Sequence, residues 1–560
     1  MAFRVPPEVS RPGLFFIYIF IAGSFPSVRI LPPGQNKNKL MANVTHVVPY
    51  SSIIGSSIVD QATHIVQSIN SLLWGIYCLI PLLVGTGIYF TWKLRFVQIR
   101  RFTKAMKQVF GCINLFGKKA DKDGMSSFQS LATAIAAQVG TGNLAGVATA
   151  IAMGGPGAIF WMWIAAFFGM ATIFAEAVLA QIYRTRDSHG HITGGPAYYI
   201  SQGLGNKTLA ACFSVAIIIA LGFVGNMVQA NSIADAFKTA FGMPTWLSGI
   251  LVFMLAGFIF IGGIRRIASF AEKMVPIMAV VYIIGSLTII FTNWDGVFKA
   301  LEMIIVGAFD PVAATGGVIG AGIKEAIRYG VARGLFSNEA GMGSTPHAHA
   351  VARVRHPAEQ GLAAVVGLFF DTFIVVTMTA FVILCTGALD GTTTGISLTQ
   401  KAFTLGLGSI GNGFVATCLL FFAFTTIIGW YFFAEQNVKY LFGVRWVSVY
   451  RVLVLGFIML GSFLHVTLVW ELADLFNGLM VIPNVIALIG LSKLVGRALE
   501  DYDTKFTQGL TPEFGELAPK PVVEAPTPEE QNDRRPTHHR RQGSLRNRFR
   551  RRSRTTTNKE

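Results

Sequence analysis

Long apolar runs recur along most of the chain, separated by short polar stretches. A helix needs about 20 mostly apolar residues to cross the hydrocarbon core of a bilayer. Eleven segments are long and apolar enough for that role: 70–92, 129–153, 156–183, 208–238, 246–263, 268–291, 331–352, 361–387, 412–437, 447–464 and 469–494. The pattern predicts an all-α polytopic membrane protein with eleven transmembrane helices. Segment 331–352 is the most polar of them, since it holds Arg333, Asn338 and Glu339.

Composition excludes a soluble protein of this size. Of the 560 residues, 52% are hydrophobic and only 13% are charged, whereas soluble domains carry roughly 25% charged residues. The 59 glycines suit helices that approach each other closely inside a bilayer. No pair of the five cysteines has metal-ligand spacing, so we interpret them as small apolar residues.

Lysine and arginine gather in every second connection between the predicted spans. The loop 93–122 is strongly basic, whereas stretches on the alternate side, such as 388–411, are poor in Lys and Arg. Because cytoplasmic loops carry the excess of positive charge, we expect the N-terminus outside and the C-terminus in the cytoplasm. The long connection 292–330 mixes apolar and polar residues, which favours an interfacial or re-entrant helix on the outer side.

This division gives three regions along the chain. We expect an extracytoplasmic N-terminal extension at 1–69, a transmembrane domain at 70–494 and a disordered, basic cytoplasmic tail at 495–560. The 12 apolar residues Leu14–Phe25 are too few to span a membrane and resemble a signal-peptide core. A true start at Met41, with the preceding residues an over-long start, is the favoured alternative.

The positive charge of the chain is concentrated in its tail. The formal net charge is +17, and residues 533–560 hold ten Arg and one Lys against two acidic residues. So polar a segment cannot bury a core, and we expect it to be disordered. Two interpretations stay open: attraction to anionic membrane lipids at the cytoplasmic face, or a solvated tail without a partner. Nucleic-acid binding is not expected, because no folded module accompanies the charge.

Two predicted spans are interrupted by glycine and polar residues. They read AAQVGTGNLAG at 136–146 and GLFSNEAGMGS at 334–344. Glycine weakens a helix interior, and polar residues inside a membrane are costly and tend to be functional. One extra helix, then five spans over about 129–291 and five over about 331–494, predicts an inverted repeat with two discontinuous helices meeting at a midplane site. A packing face of Gly142 and Gly146 would explain the glycines but not the polar residues.

Broken helices can hold a zwitterion together with a small cation. The positive end of a half-helix attracts a carboxylate, and the carbonyl groups freed at the break can coordinate a cation. An amino acid and Na⁺ suit such a site.

Three long motifs carry a family resemblance: GTGNLAGVATAIAMGGPGAIFWMW at 140–163, GNMVQANSIAD at 225–235 and GLFSNEAGMGSTPHA at 334–348. They resemble the alanine or glycine:cation symporter family, and the resemblance runs from about Leu72 to Lys493. It implies a leucine-transporter-like fold with one additional N-terminal helix. It also implies Na⁺- or H⁺-coupled uptake of alanine or glycine across the bacterial cytoplasmic membrane, with no cofactor beyond the co-transported ion.

The resemblance also implies the residues of the site. The substrate is expected to contact the first break, the facing wall of the second break and two further helices, at Gly140, Thr141, Gly142, Asn143, Gln229, Ser337, Asn338, Gly341, Met342, Thr426 and Trp430. The Na⁺ ion is expected at the carbonyls of Ala136 and Val139 and the hydroxyls of Thr425 and Thr426.

Gln138 departs from the family pattern, in which Thr usually precedes Val-Gly-Thr-Gly-Asn. Its longer amide either shrinks the pocket or supplies a hydrogen bond to a different substrate. We hypothesise that Gln138 belongs to the substrate site and tightens selectivity toward the smallest substrates.

Three acidic residues in apolar surroundings are candidates for coupling or gating: Glu339, Asp371 and Glu176. Glu339 lies inside the second break, so protons remain an alternative to Na⁺. For the other two, a hydrogen-bonded structural carboxylate is an equally good interpretation. His347 and His349 are two residues apart on a helix and point in different directions, which disfavours a metal site.

Other classes of protein have less support. The sequence contains no nucleophile elbow, phosphate-binding loop or zinc-ligand helix, so an enzyme is not expected. A channel and a transport-inactive amino-acid sensor remain alternatives to a secondary symporter.

Overall fold

The computed structural model describes residues 50–75, 78–111, 124–310, 322–464 and 466–508. All of them belong to one unit, Met1–Ala518, and a second unit, Pro519–Glu560, lies outside the described residues. The signal-like segment, the alternative start at Met41 and most of the basic tail also lie outside them.

The described residues are mostly helical. The helices of the first half are α1 Tyr50–Leu73, α2 Leu79–Lys93, α3 Val97–Arg100, α4 Phe102–Gly111, α5 Ser127–Gln138, α6 Val147–Gly154, α7 Ala158–Ile182, α8 Pro196–Gly203, α9 Lys207–Ile217, α10 Asn226–Phe241, α11 Thr245–Ile261, α12 Gly263–Thr292 and α13 Asp295–Gly307. Those of the second half are α14 Ile323–Asn338, α15 Pro346–Ala350, α16 Pro357–Phe369, α17 Thr377–Cys385, α18 Gly395–Leu407, α19 Gly411–Phe442, α20 Val447–Gly461, α21 Val466–Gly490 and α22 Ser492–Thr507. Three π-helical segments, Gly142–Gly146, Ile218–Gly225 and Phe370–Val376, and two 3₁₀ turns, Gly408–Ile410 and Val444–Trp446, link consecutive helices.

Four short strands form two pairs. β1 Met125–Ser126 runs parallel to β4 Ala352–Arg353, and β2 Thr185–Arg186 runs antiparallel to β3 Ile192–Thr193. β1 directly precedes α5, whereas β4 follows α15. The start of the first broken helix and the end of the second therefore lie at the same end of the bundle, which we call the strand end.

Seven helical stretches in the described part of the chain are long and apolar enough to cross a membrane, and a bent pair makes an eighth. The pair is α5 with 142–154, bent by 46° at the first break. Large apolar side chains cover the outside of α11, where Met254, Phe258 and Ile261 are 64%, 65% and 72% exposed. An apolar exterior around a polar interior is the arrangement of a polytopic membrane protein.

The first predicted span, 70–92, is divided, so the prediction of one continuous helix there is wrong. The chain breaks around Trp74, whose Nε1 donates to the carbonyl oxygen of Asp474 over 3.1 Å. Pro81 lies in the first turn of the next helix, where its missing N–H is not needed. That helix, Leu79–Lys93, has 15 residues. Gly75 and Pro81 in this run are residues that weaken or end helices, whereas the contact of Trp74 with a distant helix could not be predicted from the sequence.

Both predicted interruptions are present. In the second, α14 ends at Asn338 and helical structure resumes only at Pro346, so the weak span 331–352 is a broken element. The connection 292–330 contains a helix, Asp295–Gly307; its interfacial or re-entrant position on the outer side stays a prediction.

The tail does not begin as a disordered segment at 495, because α22 covers residues up to Thr507. One acidic residue of this helix, Asp503, pairs with two arginines beyond α2: Arg100 at 2.9 Å and Arg101 at 2.8 Å. The prediction ended the folded part at 494 because the apolar pattern ends there. The helix beyond that point is stabilised by these ion pairs, which an apolar pattern does not indicate.

Candidate functional site

The first break begins where α5 ends. A capping box starts α5: Ser126 Oγ accepts from Gln129 N over 3.0 Å, and Gln129 Oε1 accepts from Ser126 N over 3.1 Å. At the other end, Gly140 N donates to Asn143 Oδ1 over 2.9 Å, which holds the turn. A Cβ on Gly140 would lie 2.3 Å from Thr426 Oγ1, so only glycine allows α19 to come this close.

Three of the four predicted cation ligands converge beside this glycine. Thr426 Oγ1 lies 3.1 Å from the Ala136 carbonyl oxygen and 3.4 Å from that of Val139. The Thr425 hydroxyl has other partners, since it donates to the Phe422 carbonyl oxygen over 2.9 Å. Hard oxygen ligands of this kind suit Na⁺, and the placement of Na⁺ here stays a prediction.

Gln229 of α10 contacts the first break directly. The Thr141 N–H donates to Gln229 Oε1 over 3.2 Å. Two further polar atoms at this contact, Thr141 Oγ1 and Gln229 Nε2, are buried and have no hydrogen-bond partner among the described residues. A buried donor without a partner is costly, so this position favours a ligand with hydrogen-bond acceptors.

Gln138 joins the two breaks. Its Nε2 donates to the Asn338 carbonyl oxygen over 2.8 Å. Asn338 in turn stabilises its own break, because its Oδ1 accepts from Ala340 N over 3.1 Å and its Nδ2 donates to Thr372 Oγ1 over 3.3 Å. The amide of Gln138 thus contacts the wall of the site.

Asp371 gathers donors from three elements. Its carboxylate accepts from Asn143 Nδ2 over 2.6 Å, from Ser337 Oγ over 3.0 and 3.1 Å, and from Thr372 Oγ1 over 3.0 Å. The two breaks approach closely here, since a Cβ on Gly142 would lie 3.0 Å from the Ser337 Cα. Asp371 therefore ties both discontinuous helices to a third helix.

Glu339 closes the end of α14. It adopts a left-handed backbone conformation, with φ of 59°, as is common just past a helix end. Trp430 Nε1 donates to one carboxylate oxygen, and Ser344 Oγ donates to the other over 2.5 Å. Phe336 packs edge-on against Trp430 with ring centroids 5.6 Å apart.

Glu176 of α7 fixes the second break by accepting backbone hydrogen bonds. Gly341 N and Gly343 N donate to its two oxygens over 3.1 and 2.9 Å, and Asn484 Nδ2 donates over 2.7 Å. Both glycines have positive φ, 86° and 80°. Met342 between them is fully buried. Glu176 thus positions the segment in which Gly341 and Met342 were predicted to face the substrate.

The three carboxylates of Glu176, Glu339 and Asp371 are wholly buried. None of them forms an ion pair with a Lys or Arg among the described residues; the buried pair at 2.6 Å joins Arg333 to Asp474 instead. Burial of unpaired negative charge is very unfavourable, so a cation or a proton is needed to balance it.

The structure thus brings nearly all the predicted site residues to the two breaks. Sequence reasoning missed Ser344 and Asn484, which hold the two glutamates. Asn484 had a detectable signal, because it is a polar residue inside an apolar span.

Both ring nitrogens of His347 have hydrogen-bond partners. Its Nδ1 is 2.7 Å from the Ser344 carbonyl oxygen, and its Nε2 is 2.8 Å from Asn437 Nδ2. Within the described ranges, no group of three or more His, Cys, Asp and Glu residues is arranged to hold a metal ion.

Long apolar helices around a polar centre with two broken helices define a multi-pass membrane protein of the transporter class. The sequence matches the sodium:alanine symporter family over residues 59–516, and the chain belongs to that family. Family and relatives indicate sodium-coupled transport of an amino acid rather than an enzyme.

Three relatives illustrate this similarity. An uncharacterized transporter of Haemophilus influenzae is 47% identical over 444 residues, which cover 78% of this chain and 95% of the relative. The probable sodium/glutamine symporter GlnT of Bacillus subtilis is 44% identical over 453 residues, 80% of this chain and 93% of the relative. The sodium/alanine symporter AgcS of Methanococcus maripaludis is 42% identical over 439 residues, 77% of this chain and 95% of the relative.

Proposed function

We propose that the protein imports a small neutral amino acid, alanine or glycine, together with Na⁺. The observation that carries this proposal is the pair of unpartnered buried donors, Thr141 Oγ1 and Gln229 Nε2, at the first break. A substrate carboxylate accepts hydrogen bonds from both and lies at the start of the following half-helix, where the helix dipole favours negative charge. Trp430 and Phe336 cover the same region and limit the size of the substrate.

The cation binds beside the substrate in this proposal. The Ala136 and Val139 carbonyls and the Thr426 hydroxyl supply oxygen ligands, and Thr425 joins them by a change of rotamer. Because Thr426 Oγ1 lies against Gly140, the cation and the substrate share one turn of backbone. Binding of either therefore organises the site for the other.

The proposed architecture has eleven transmembrane helices, one before a five-plus-five inverted repeat of the leucine-transporter type. The parallel pairing of β1 with β4 supports it, since two oppositely oriented broken helices bring the start of one and the end of the other to one side. We place the strand end, with the basic loop near it, in the cytoplasm of a bacterial inner membrane. The N-terminus is then outside and the C-terminus inside.

Proton coupling is the second candidate. The three unpaired buried carboxylates favour it, because each can be neutralised by protonation instead of by a bound cation. The names of the relatives also leave the substrate open: one is a sodium/alanine symporter and another a probable sodium/glutamine symporter. The tight packing of Gly140, Gln138 and Trp430 favours the smaller substrate.

Uptake by the purified protein in liposomes tests the proposal. Labelled alanine, glycine and glutamine are supplied under an inward Na⁺ gradient, under a pH gradient, or under neither. We expect saturable accumulation of alanine or glycine only with the Na⁺ gradient. Accumulation driven by the pH gradient alone would show that the coupling ion is H⁺ and not Na⁺. Binding of alanine without uptake under any gradient would instead identify a sensor.

A further inference from the structure

A second group of buried polar side chains lies between the second break and the strand end. It comprises Ser130 of α5, His349 of α15 and Gln360 of α16, which are all wholly buried. None of these residues belongs to the predicted substrate or cation site. Their hydrogen bonds are nevertheless specific enough to fix the proton positions.

The directions of these hydrogen bonds follow from the number of protons that each group owns. The Ser130 hydroxyl donates its one proton to the Ala348 carbonyl oxygen over 2.8 Å. The Gln360 atom 3.1 Å from Ser130 Oγ must therefore be a donor, which is the Nε2 amide. Its second proton points to His349 Nδ1, 2.8 Å away. Ser127 Oγ donates to the Gln360 Oε1 over 3.1 Å, consistent with this orientation.

His349 is therefore a neutral imidazole that accepts at Nδ1 and carries its proton on Nε2. That Nε2 has no hydrogen-bond partner among the described residues, and neither has the hydroxyl of Thr345, which is also wholly buried. The backbone N–H of His349 donates to the backbone carbonyl oxygen of Thr345 over 3.1 Å. The two side chains are thus one helical turn apart on the same face of α15.

We propose that Thr345 and His349 form a second, transient binding station for the carboxylate of the transported amino acid, between the central site and the strand end. A carboxylate accepts charge-assisted hydrogen bonds from both donors at once. Without such donors, a charged group that leaves the central site would cross the bundle unpaired, at high cost. Beyond the station, Arg184 and Arg353 lie at the strand end, where positive charge attracts an anion.

The station rests on the proposed function, and two matched pairs of variants separate it from a packing role. His349→Asn keeps an acceptor near the Nδ1 position for Gln360 but removes the donor at Nε2. His349→Gln places an amide donor near Nε2 and loses the Nδ1 acceptor. Thr345→Val removes the hydroxyl at constant shape, whereas Thr345→Ser keeps it.

Two quantities are measured for each variant of the full-length protein. One is equilibrium binding of labelled alanine in Na⁺ by purified protein, and the other is the maximal rate of Na⁺-driven alanine uptake in liposomes. We expect His349→Asn and Thr345→Val to lower the maximal uptake rate by about tenfold, the effect of one lost hydrogen bond to a charged group. Their binding affinity should change by less than about threefold, because the central site is intact. His349→Gln should transport faster than His349→Asn, and Thr345→Ser should transport faster than Thr345→Val.

Several results would overturn the station. Unchanged uptake rates in His349→Asn and Thr345→Val would mean that the two donors hold only a resident water. Equal slowing within each pair would show a packing role, and a parallel fall in affinity and rate would place these residues in the central site. Failure of the unaltered protein to bind alanine at all would overturn the proposed function itself, and this inference with it.

Discussion

At Gly140, the structure leaves room only for a hydrogen atom. A Cβ there would lie 2.3 Å from Thr426 Oγ1 and 3.2 Å from Gln229 Oε1. We expect Gly140→Ala to displace the Thr426 hydroxyl and to lower Na⁺-driven uptake by about 100-fold, the scale of an ångström-sized misplacement. Gly146→Ala is the matched control, because the nearest atom to its Cβ would be Thr141 O at 3.8 Å. Similar uptake by the two variants would contradict this account of the first break.

Gln138 is the residue at which we expect selectivity to be adjustable. Its amide bonds the Asn338 carbonyl across the two breaks, and the shorter side chain of threonine would not span that distance. Gln138→Thr should therefore loosen the wall and raise uptake of alanine relative to glycine several-fold, since one methyl group in a pocket is worth roughly 10-fold or more. Competition between the two labelled substrates measures the ratio. An unchanged ratio would show that Gln138 has no part in selectivity.

At the scale of residues, the sequence identified those whose types are unusual for a membrane helix. Asp371 and Glu176 stood out because a polar side chain in an apolar run is costly, whereas Gln229 was expected from the family resemblance alone. What each side chain contacts could not be predicted. The bond between Glu176 and the amide of Gly343 joins residues 167 positions apart, and no local pattern specifies such a pair.

At the scale of elements, the apolar runs predicted the position of most long helices but not their irregularities. Two of the three π-helical segments contain Asn143 and Asp371, and the third ends four residues before Gln229; such segments are frequent at functional sites. Only the irregularity at Gly142–Gly146 was predicted, because of its glycines. The segment Ile218–Gly225 consists of apolar residues and glycine, and Asp371 in Phe370–Val376 is compatible with an ordinary helix, so neither sequence indicates a π-helix.

The stability of the folded protein should depend on pH through His356. This side chain caps α16: its Nδ1 accepts from Ala358 N over 3.1 Å, and its Nε2 lies 3.1 Å from Asp501 Oδ2. Burial lowers the pKa of His356, and the Asp501 carboxylate opposes this shift only in part. Because the folded state disfavours the proton, its stability is complete above the ordinary histidine pKa of about 6.5 and falls as the pH drops below it.

We therefore expect the thermal unfolding temperature to fall between pH 7.5 and pH 5.5. His356→Asn retains a good capping side chain but does not titrate, so its unfolding temperature should depend less on pH. The comparison is made by intrinsic fluorescence of the purified proteins at both pH values. An equal pH dependence in the two proteins would exclude His356 as the origin.

At the scale of the whole molecule, negative charge is placed in the interior without basic partners. Glu176, Glu339 and Asp371 surround the two breaks, while Arg333 and the arginines near α22 are paired elsewhere. A cation or bound protons must balance this charge, which is a reason for coupling amino-acid transport to an ion. The number of spans was predicted from the length of the apolar segments, and their orientation was predicted from the Lys and Arg residues in the loops. Among the described residues, seven helical stretches, or eight with the bent pair, meet the length and hydropathy criterion for a span; short helices do not meet it.

The most direct test is the affinity of the purified protein for labelled alanine in Na⁺ and in K⁺ at equal ionic strength. Because the proposed cation ligands and the proposed substrate site share the backbone at Gly140, we predict at least about tenfold tighter binding in Na⁺, within the usual range of coupling energies. Thr426→Val should abolish most of that difference, since it removes the hydroxyl that joins the two sites. Equal affinity in Na⁺ and K⁺ for the unaltered protein would contradict a shared site for the amino acid and the sodium ion.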